Sequence, residues 1–186
     1  MASGTGPALM CYADLLAMPE DHLRHEIIAG RHYMSPSPIV YHQRIVRQFS
    51  LLLLRYEETH GGEVLWAPVD VVLSEENVVV PDAVFVSASR LAIVTERCVR
   101  GAPDLVAEVL SPGSVKNDCG VKLRLYEQYG VGEYWLLDPK LKQLTVYSRD
   151  RGNFTPRSFA LARDAMAPSL VLPGFEPRLA EIFRER

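Results

Sequence analysis

Two apolar segments of the sequence each contain a single acidic residue. Glu108 interrupts the run from Leu105 to Leu110 in APDLVAEVLSP, and Asp82 lies within VVVPDAVFV. Apolar runs of this length with prolines nearby are typical of short buried strands. A buried carboxylate is costly, or stays protonated, unless a cation or hydrogen-bond donors meet it. The pattern therefore predicts a charged or polar partner for each acid inside the fold.

The two acids could share one partner. If the strands over 78–86 and 105–110 are neighbours in one sheet, Asp82 and Glu108 converge and, with a backbone carbonyl, form a site of hard oxygen ligands suited to Mg²⁺. The alternative is that each acid meets only an arginine or a backbone amide. Asp104 lies four residues before Glu108 on the same strand, about 13 Å away, and is better interpreted as a strand-entry or turn residue.

A third charged group lies on the helix predicted from about Val115 to Tyr129. Asp118, Lys122 and Tyr126 follow one another at intervals of four, which places them on one face. One interpretation is an ordinary surface Asp–Lys pair. The other is that Lys122 projects toward the two acids, where its ammonium could orient a water nucleophile or stabilise charge developing on a scissile phosphate.

The elements around these residues suggest a mixed fold. Strands around Ala29-Gly30 form a plausible hairpin, and apolar residues spaced by three and four predict an amphipathic helix over 42–60, ended by Gly61-Gly62. Further strands are expected over 64–73, 133–137 and 144–147, and a short final helix over 179–183. This order predicts an α/β (α+β) domain, with a mixed sheet and helices packed against it.

Composition limits the classes of protein. The chain has 186 residues, of which 48% are hydrophobic and 23% charged, and we expect a loose tail over 1–10 and a single domain over 11–186. No apolar run is long enough to span a membrane, and the start of the chain does not look like a signal peptide. Three cysteines without metal-type spacing favour free thiols in the cytoplasm. A net charge of −3 does not indicate nucleic-acid binding, although a local basic groove is compatible with it.

The motifs together resemble a known superfamily. The set PD…EVLSP…D…K…Y…YGVGEYWLLDP is similar to the PD-(D/E)XK nucleases, in particular to a branch of restriction-endonuclease-like proteins first catalogued as a domain of unknown function and abundant in cyanobacteria. The similarity runs from HEIIAGRHYMSPSPIVYH to LVLPGFEPRLAEIF. It implies a restriction-endonuclease-like fold, with a central mixed sheet flanked by helices.

The resemblance also implies roles for individual residues. Asp82 and Glu108 would be metal ligands, with the Val109 carbonyl completing the set. Leu110 stands where a Glu-x-Lys pattern would place lysine, so Lys122 on the following helix becomes its substitute. Glu26 matches an acid of this branch and would support the metal site, unless it is a solvated strand residue. His42 also matches a branch residue, but a lone histidine near a helix end is more often structural.

These expectations combine into one function and one rival. The first is a Mg²⁺- or Mn²⁺-dependent endonuclease that hydrolyses DNA, with Asp82, Glu108, Lys122 and Glu26 as its catalytic residues, and it would act as a homodimer because two strands need two sites. The rival is a nucleic-acid-binding or protein-interaction module that keeps the nuclease fold and cleaves nothing.

Overall fold

The computed structural model describes residues 9–19, 21, 23–35 and 37–185. The expected tail over 1–10 lies mostly outside this range, although the Met10 amide donates a hydrogen bond to the Gly30 carbonyl at 2.9 Å. The helices in the described part of the chain are α1 (Tyr12–Leu16), α2 (Val40–His60), α3 (Leu123–Tyr129) and α4 (Leu179–Ile182), with a 3₁₀ helix over Ala88–Ile93 and a π-helical segment over Asn117–Lys122. None of these helices is both long and apolar enough to cross a membrane.

The strands in the described residues form two mixed sheets. They are β1 (Arg24–Ile28), β2 (Arg31–Ser35), β3 (Glu63–Trp66), β4 (Asp70–Ser74), β5 (Asn77–Val79), β6 (Ala83–Val86), β7 (Cys98–Arg100), β8 (Leu105–Val109), β9 (Glu133–Asp138), β10 (Gln143–Asp150) and β11 (Asn153–Ala160). The five-stranded sheet has the order β2-β1-β5-β4-β7, and the six-stranded sheet has the order β11-β10-β9-β8-β6-β3. One pair in each sheet is parallel, β4 with β7 and β8 with β9, and the remaining pairs are antiparallel.

The hairpin and the long helix form as the sequence predicts. Ala29 and Gly30 connect β1 and β2 with φ values of 51° and 69°, which is the backbone of a two-residue turn that matches strand twist. Helix α2 begins two residues earlier than expected and ends at His60, before Gly61. Its apolar stripe packs on one face of the six-stranded sheet, together with α4.

The six-stranded sheet is buried on both faces. Trp135 and its neighbour Tyr134 are both fully buried, but they belong to two different apolar clusters because successive side chains of a strand point to opposite faces. Trp135 packs toward α2, whereas Tyr134 packs toward α3 and the five-stranded sheet. Both residues are therefore part of the core.

The single strand expected over 78–86 is divided. β5 ends at Val79 in the five-stranded sheet, and β6 begins at Ala83 in the six-stranded sheet. Pro81 lies in the crossing between them, and proline cannot donate a ladder hydrogen bond. Asp82 is therefore the last residue before β6 and stands where the chain passes from one sheet to the other.

Candidate active site

The strand that follows Asp82 and the strand that contains Glu108 are neighbours, which is the condition under which the sequence brings the two acids together. β6 pairs with β8 in antiparallel register, with Ala83 opposite Ala107, so the preceding Asp82 lies beside the following Glu108. Strand alternation places both acids on the face that points toward α3 and the five-stranded sheet, the same face as Val84 and Val106. Both carboxyl groups are buried.

Asp82 has partners on three sides. Its Oδ1 pairs with Arg24 Nη1 at 2.7 Å, and its Oδ2 accepts a hydrogen bond from the Val109 amide at 2.9 Å. His42 Nε2 lies 3.1 Å from the same Oδ2. Burial alone would raise the pKa of Asp82, but His42 and Arg24 outweigh it and hold the pKa below its ordinary value. Asp82 is therefore a carboxylate that stays ionised.

Lys122 is the cation that contacts Glu108. The lysine Nζ lies 2.8 Å from Glu108 Oε1 and 2.7 Å from Glu26 Oε1, so one ammonium bridges two carboxyl groups. Tyr126 donates a weaker hydrogen bond to Glu108 Oε1 at 3.3 Å. Glu26 Oε1 also accepts from the Val80 amide at 2.8 Å. Glu26 is only 4% exposed, so it is not the solvated strand residue that the sequence left open.

The helix carrying Lys122 begins with a π-helical turn. Residues 117–122 form this turn and α3 continues from Leu123, where the sequence suggested one uniform α-helix. Asp118 is buried in the same turn, and its Oδ1 lies 3.8 Å from Lys122 Nζ. The surface-pair interpretation of Asp118 and Lys122 is therefore wrong. Wide turns of this kind occur frequently at functional sites.

Carboxyl groups outnumber cations at this site. Burial raises the pKa of Glu108 well above its ordinary value, and the neighbouring carboxylates add to the rise against the opposing effect of Lys122. Burial is also the main cause of the raised pKa of Asp118. Burial disfavours the Lys122 ammonium, but Glu108 and Glu26 outweigh it and raise the lysine pKa well above its ordinary value. Lys122 therefore keeps its positive charge among four acids, namely Glu26, Asp82, Glu108 and Asp118.

These groups line one cavity of about 720 Å³. Its floor contains the four acids, Arg24 and Lys122, and its wall includes the first turn of α2 with Tyr41 and His42. Within the described residues, Tyr41 Oη and His42 Nδ1 are buried and have no hydrogen-bond partner. Leaving a buried polar atom without a partner costs stability.

The donor set fits a hard divalent cation. Among the described residues no group of three or more histidine, cysteine or acidic side chains is arranged to hold a metal, and the Lys122 ammonium lies between two of the carboxyl groups. Even so, Asp82 and Glu108 are oxygen donors beside each other, and the cavity holds four carboxyl groups against the two cations Arg24 and Lys122. Carboxyl oxygens are the ligands that Mg²⁺ and Mn²⁺ prefer.

Sequence reasoning missed some of the residues around the acids. Arg24 gave no signal, because a lone arginine before a hairpin looks like a surface residue. His42 was considered structural, yet it contacts Asp82 directly. Asp104 has no place in the site: its carboxylate accepts hydrogen bonds from Arg90 Nη1 at 2.9 Å and from the Ser87 amide at 2.8 Å, as a turn residue would.

Comparison with known proteins identifies a family and a similar fold. The model of the family described as "Uma2: Putative restriction endonuclease" matches residues 12–181. Among solved structures, the fold is similar to that of a protein from Anabaena variabilis titled a "putative nuclease", with a TM-score of 0.78 and 19% sequence identity over 94% of this chain and 97% of that chain. No functionally curated protein matches the sequence.

The fold therefore has the restriction-endonuclease-like architecture of mixed sheets flanked by helices. The chain belongs to the Uma2 family, whose model spans nearly all of it. The expected superfamily and fold class are confirmed.

Proposed function

We propose that this protein is a metal-dependent endonuclease that hydrolyses phosphodiester bonds in DNA. The observation that carries the proposal is that Asp82, just before β6, and Glu108, on the neighbouring β8, line one cavity, with the Lys122 ammonium 2.8 Å from Glu108. Family membership supports a nuclease-like activity. The chemistry of the donor set supports metal dependence, and the family's description as a restriction endonuclease supports DNA as the substrate.

Three groups would hold the metal ion, namely the carboxylates of Asp82 and Glu108 and the carbonyl of Val109. When bound, a divalent cation supplies Lewis-acid polarisation of the phosphate and makes water more acidic. Arg24 and the Val109 amide fix the Asp82 carboxylate in place through its two oxygens. The Asp82 carboxylate is therefore already held in position and needs little rearrangement to bind a metal ion.

Lys122 and Glu26 would act together on the reacting phosphate. Glu26 accepts from the Val80 amide and from Lys122, so it holds the ammonium at the carboxylate cluster. From this position Lys122 would stabilise the negative charge that builds on the scissile phosphate, and Glu26 would orient water. Because the surrounding carboxylates raise the lysine pKa, the ammonium keeps its charge at neutral pH.

Nicking of supercoiled plasmid in Mg²⁺ or Mn²⁺ tests this proposal. The chain offers a matched control, since both Asp82 and Asp104 follow a proline but only Asp82 lies in the cavity. We expect Asp82→Asn to lose cleavage and Asp104→Asn to retain it. Cleavage that persists in Asp82→Asn would contradict the assigned ligand. A wild-type protein that binds DNA without cutting it would favour the non-catalytic module.

Two further expectations stay predictions from the sequence, namely the homodimer and the cytoplasmic location. For the homodimer, sedimentation of the full chain at several concentrations would be decisive.

A further inference from the structure

Two stretches of the cavity lining carry exposed apolar side chains, and we call these stretches the lips. The first lip consists of residues 34, 35 and 37–39, and the second consists of residues 110–115 together with 138–140. Ile39 is 70% exposed on the first lip, and Val115 is 43% exposed on the second. Met34 on the first lip is also exposed. Met34, Ile39 and Val115 line the same cavity as Glu108 and Lys122.

The charges in this cavity are a poor match for duplex DNA. A duplex presents its phosphates outward and keeps its bases stacked inside, so its affinity depends largely on free basic residues. The basic residues lining the cavity are Arg24, Lys122 and Lys140. Arg24 and Lys122 are already paired with carboxylates, which leaves Lys140 on the second lip. The lining contains more acidic than basic residues, the acids being Glu26, Asp82, Glu108, Asp118 and Asp138.

The same cavity offers contacts that suit an unstacked nucleobase. A base has an apolar face, which the exposed side chains of the lips could cover, and a polar edge. Ser37 on the first lip and Asn117 at the start of the helical segment that carries Lys122 line the cavity, and their hydroxyl and amide groups suit such an edge. Apolar faces with nearby polar atoms match the chemistry of a base better than that of a phosphate backbone.

We propose that the substrate of this site is single-stranded or unpaired DNA, with unstacked bases held between the two lips while the backbone passes the Lys122 cluster. This proposal rests on the nuclease function proposed above. The lips lie in the same cavity as the catalytic groups, so the molecule between them is the one that reaches Glu108 and Lys122. Because the lips border the catalytic groups, we assign the space between them to the substrate and not to a second copy of the chain.

Binding of a labelled oligonucleotide of about 12 nucleotides tests the proposal by fluorescence anisotropy. The strand is offered alone and annealed to its complement, with Ca²⁺ in place of Mg²⁺ so that oxygen ligands are neutralised. The variants are Ile39→Ser and Val115→Ser on the lips, with Leu170→Ser as the control. Leu170 is 67% exposed and does not line the cavity, and all three side chains can be changed without opening the core.

We expect the single strand to bind about tenfold more tightly than the duplex, and the lip variants to weaken it about fivefold. Leu170→Ser should bind like wild type. The affinity should also fall only shallowly with salt, because few phosphates are neutralised.

Equal or tighter binding of the duplex, or lip variants that bind like wild type, would overturn the proposal. So would a concentration-dependent dimer that Ile39→Ser dissociates without any change in DNA affinity. The nuclease function is judged separately by cleavage in Mn²⁺ of both supercoiled plasmid and a single-stranded circle, and loss of cleavage on both would count against it. A protein that cuts duplex DNA but ignores the single strand would keep the function and refute the substrate.

Discussion

Replacing Lys122 with methionine would remove the one ammonium that bridges Glu26 and Glu108 while nearly preserving the volume of the side chain. The lysine is 5% exposed, and its Nζ lies within 2.8 Å of both carboxyl oxygens. The change therefore leaves two buried acids without their shared cation.

The expected cost follows from this burial. Removing one partner of a buried ion pair destabilises a protein by about 3–5 kcal/mol, because the remaining charge is uncompensated. Glu108 can relieve part of the cost by taking up a proton, since its pKa is already raised by burial and by neighbouring acids. We therefore expect a loss near the lower end, about 3 kcal/mol, which corresponds to roughly 10 °C in melting temperature for a chain of this size.

Urea unfolding at neutral pH in the presence of a chelator measures this loss, with Lys140→Met as the matched control. Lys140 lines the same cavity but is exposed, so its replacement should change the free energy of unfolding by less than about 0.5 kcal/mol. Saturating Mg²⁺ should restore part of the stability of Lys122→Met, because a bound cation stabilises the folded state alone. A Lys122→Met protein as stable as the control would refute the bridging role of the ammonium.

Three further predictions concern the acids. Because the folded pKa of Glu108 lies above 4.5, its protonated form stabilises the fold at low pH, and that contribution is lost as the pH rises through the raised value. Without metal, the free energy of unfolding of Glu108→Gln, measured with urea, should therefore increase relative to that of wild type between about pH 5 and pH 8. A difference between the two proteins that stays constant over this range would contradict the prediction. Asp82 has a lowered pKa, so its pairing stabilises the fold above the ordinary value, and this contribution is lost as the pH falls through the folded pKa. Arg24→Gln should therefore cost about 1 kcal/mol at pH 7 and progressively less in acid, and a cost that does not change with pH would speak against the pair. Glu133 accepts hydrogen bonds from Ser148 Oγ at 2.6 Å and from the Leu170 amide at 2.8 Å. Glu133→Gln should therefore lower the free energy of unfolding by about 1–3 kcal/mol, as measured by calorimetry. An unchanged melting temperature would exclude this structural role.

Much of the fold and the central pair of acids could be predicted from the sequence. The apolar runs around Asp82 and Glu108 placed both acids on buried strands, and the spacing of four from Asp118 to Lys122 placed the lysine on one helical face. These signals are local, because strand and helix periodicities appear directly in residue order. The superfamily followed from the combination of motifs.

The partners of the acids could not be predicted in the same way. Arg24 and Asp82 are 58 residues apart in sequence and meet because two sheets face each other. The division of the 78–86 run between those sheets has a signal only in Pro81, which is also compatible with an edge strand. The burial of Glu26 likewise depends on the packing of β1 against the crossing at Val80, which residue order does not record.

The most direct measurement is plasmid cleavage in Mn²⁺ by two variants that each neutralise one buried acid, Glu108→Gln and Glu133→Gln. Both carboxyl groups are at least 96% shielded from solvent, since Glu108 is 4% and Glu133 0% exposed, but only Glu108 lines the cavity with Lys122. We expect Glu108→Gln to fold and bind DNA without cutting it, and Glu133→Gln to cut DNA at temperatures where it remains folded. Cleavage by Glu108→Gln at the wild-type rate would contradict the assignment of this cavity as a nuclease site.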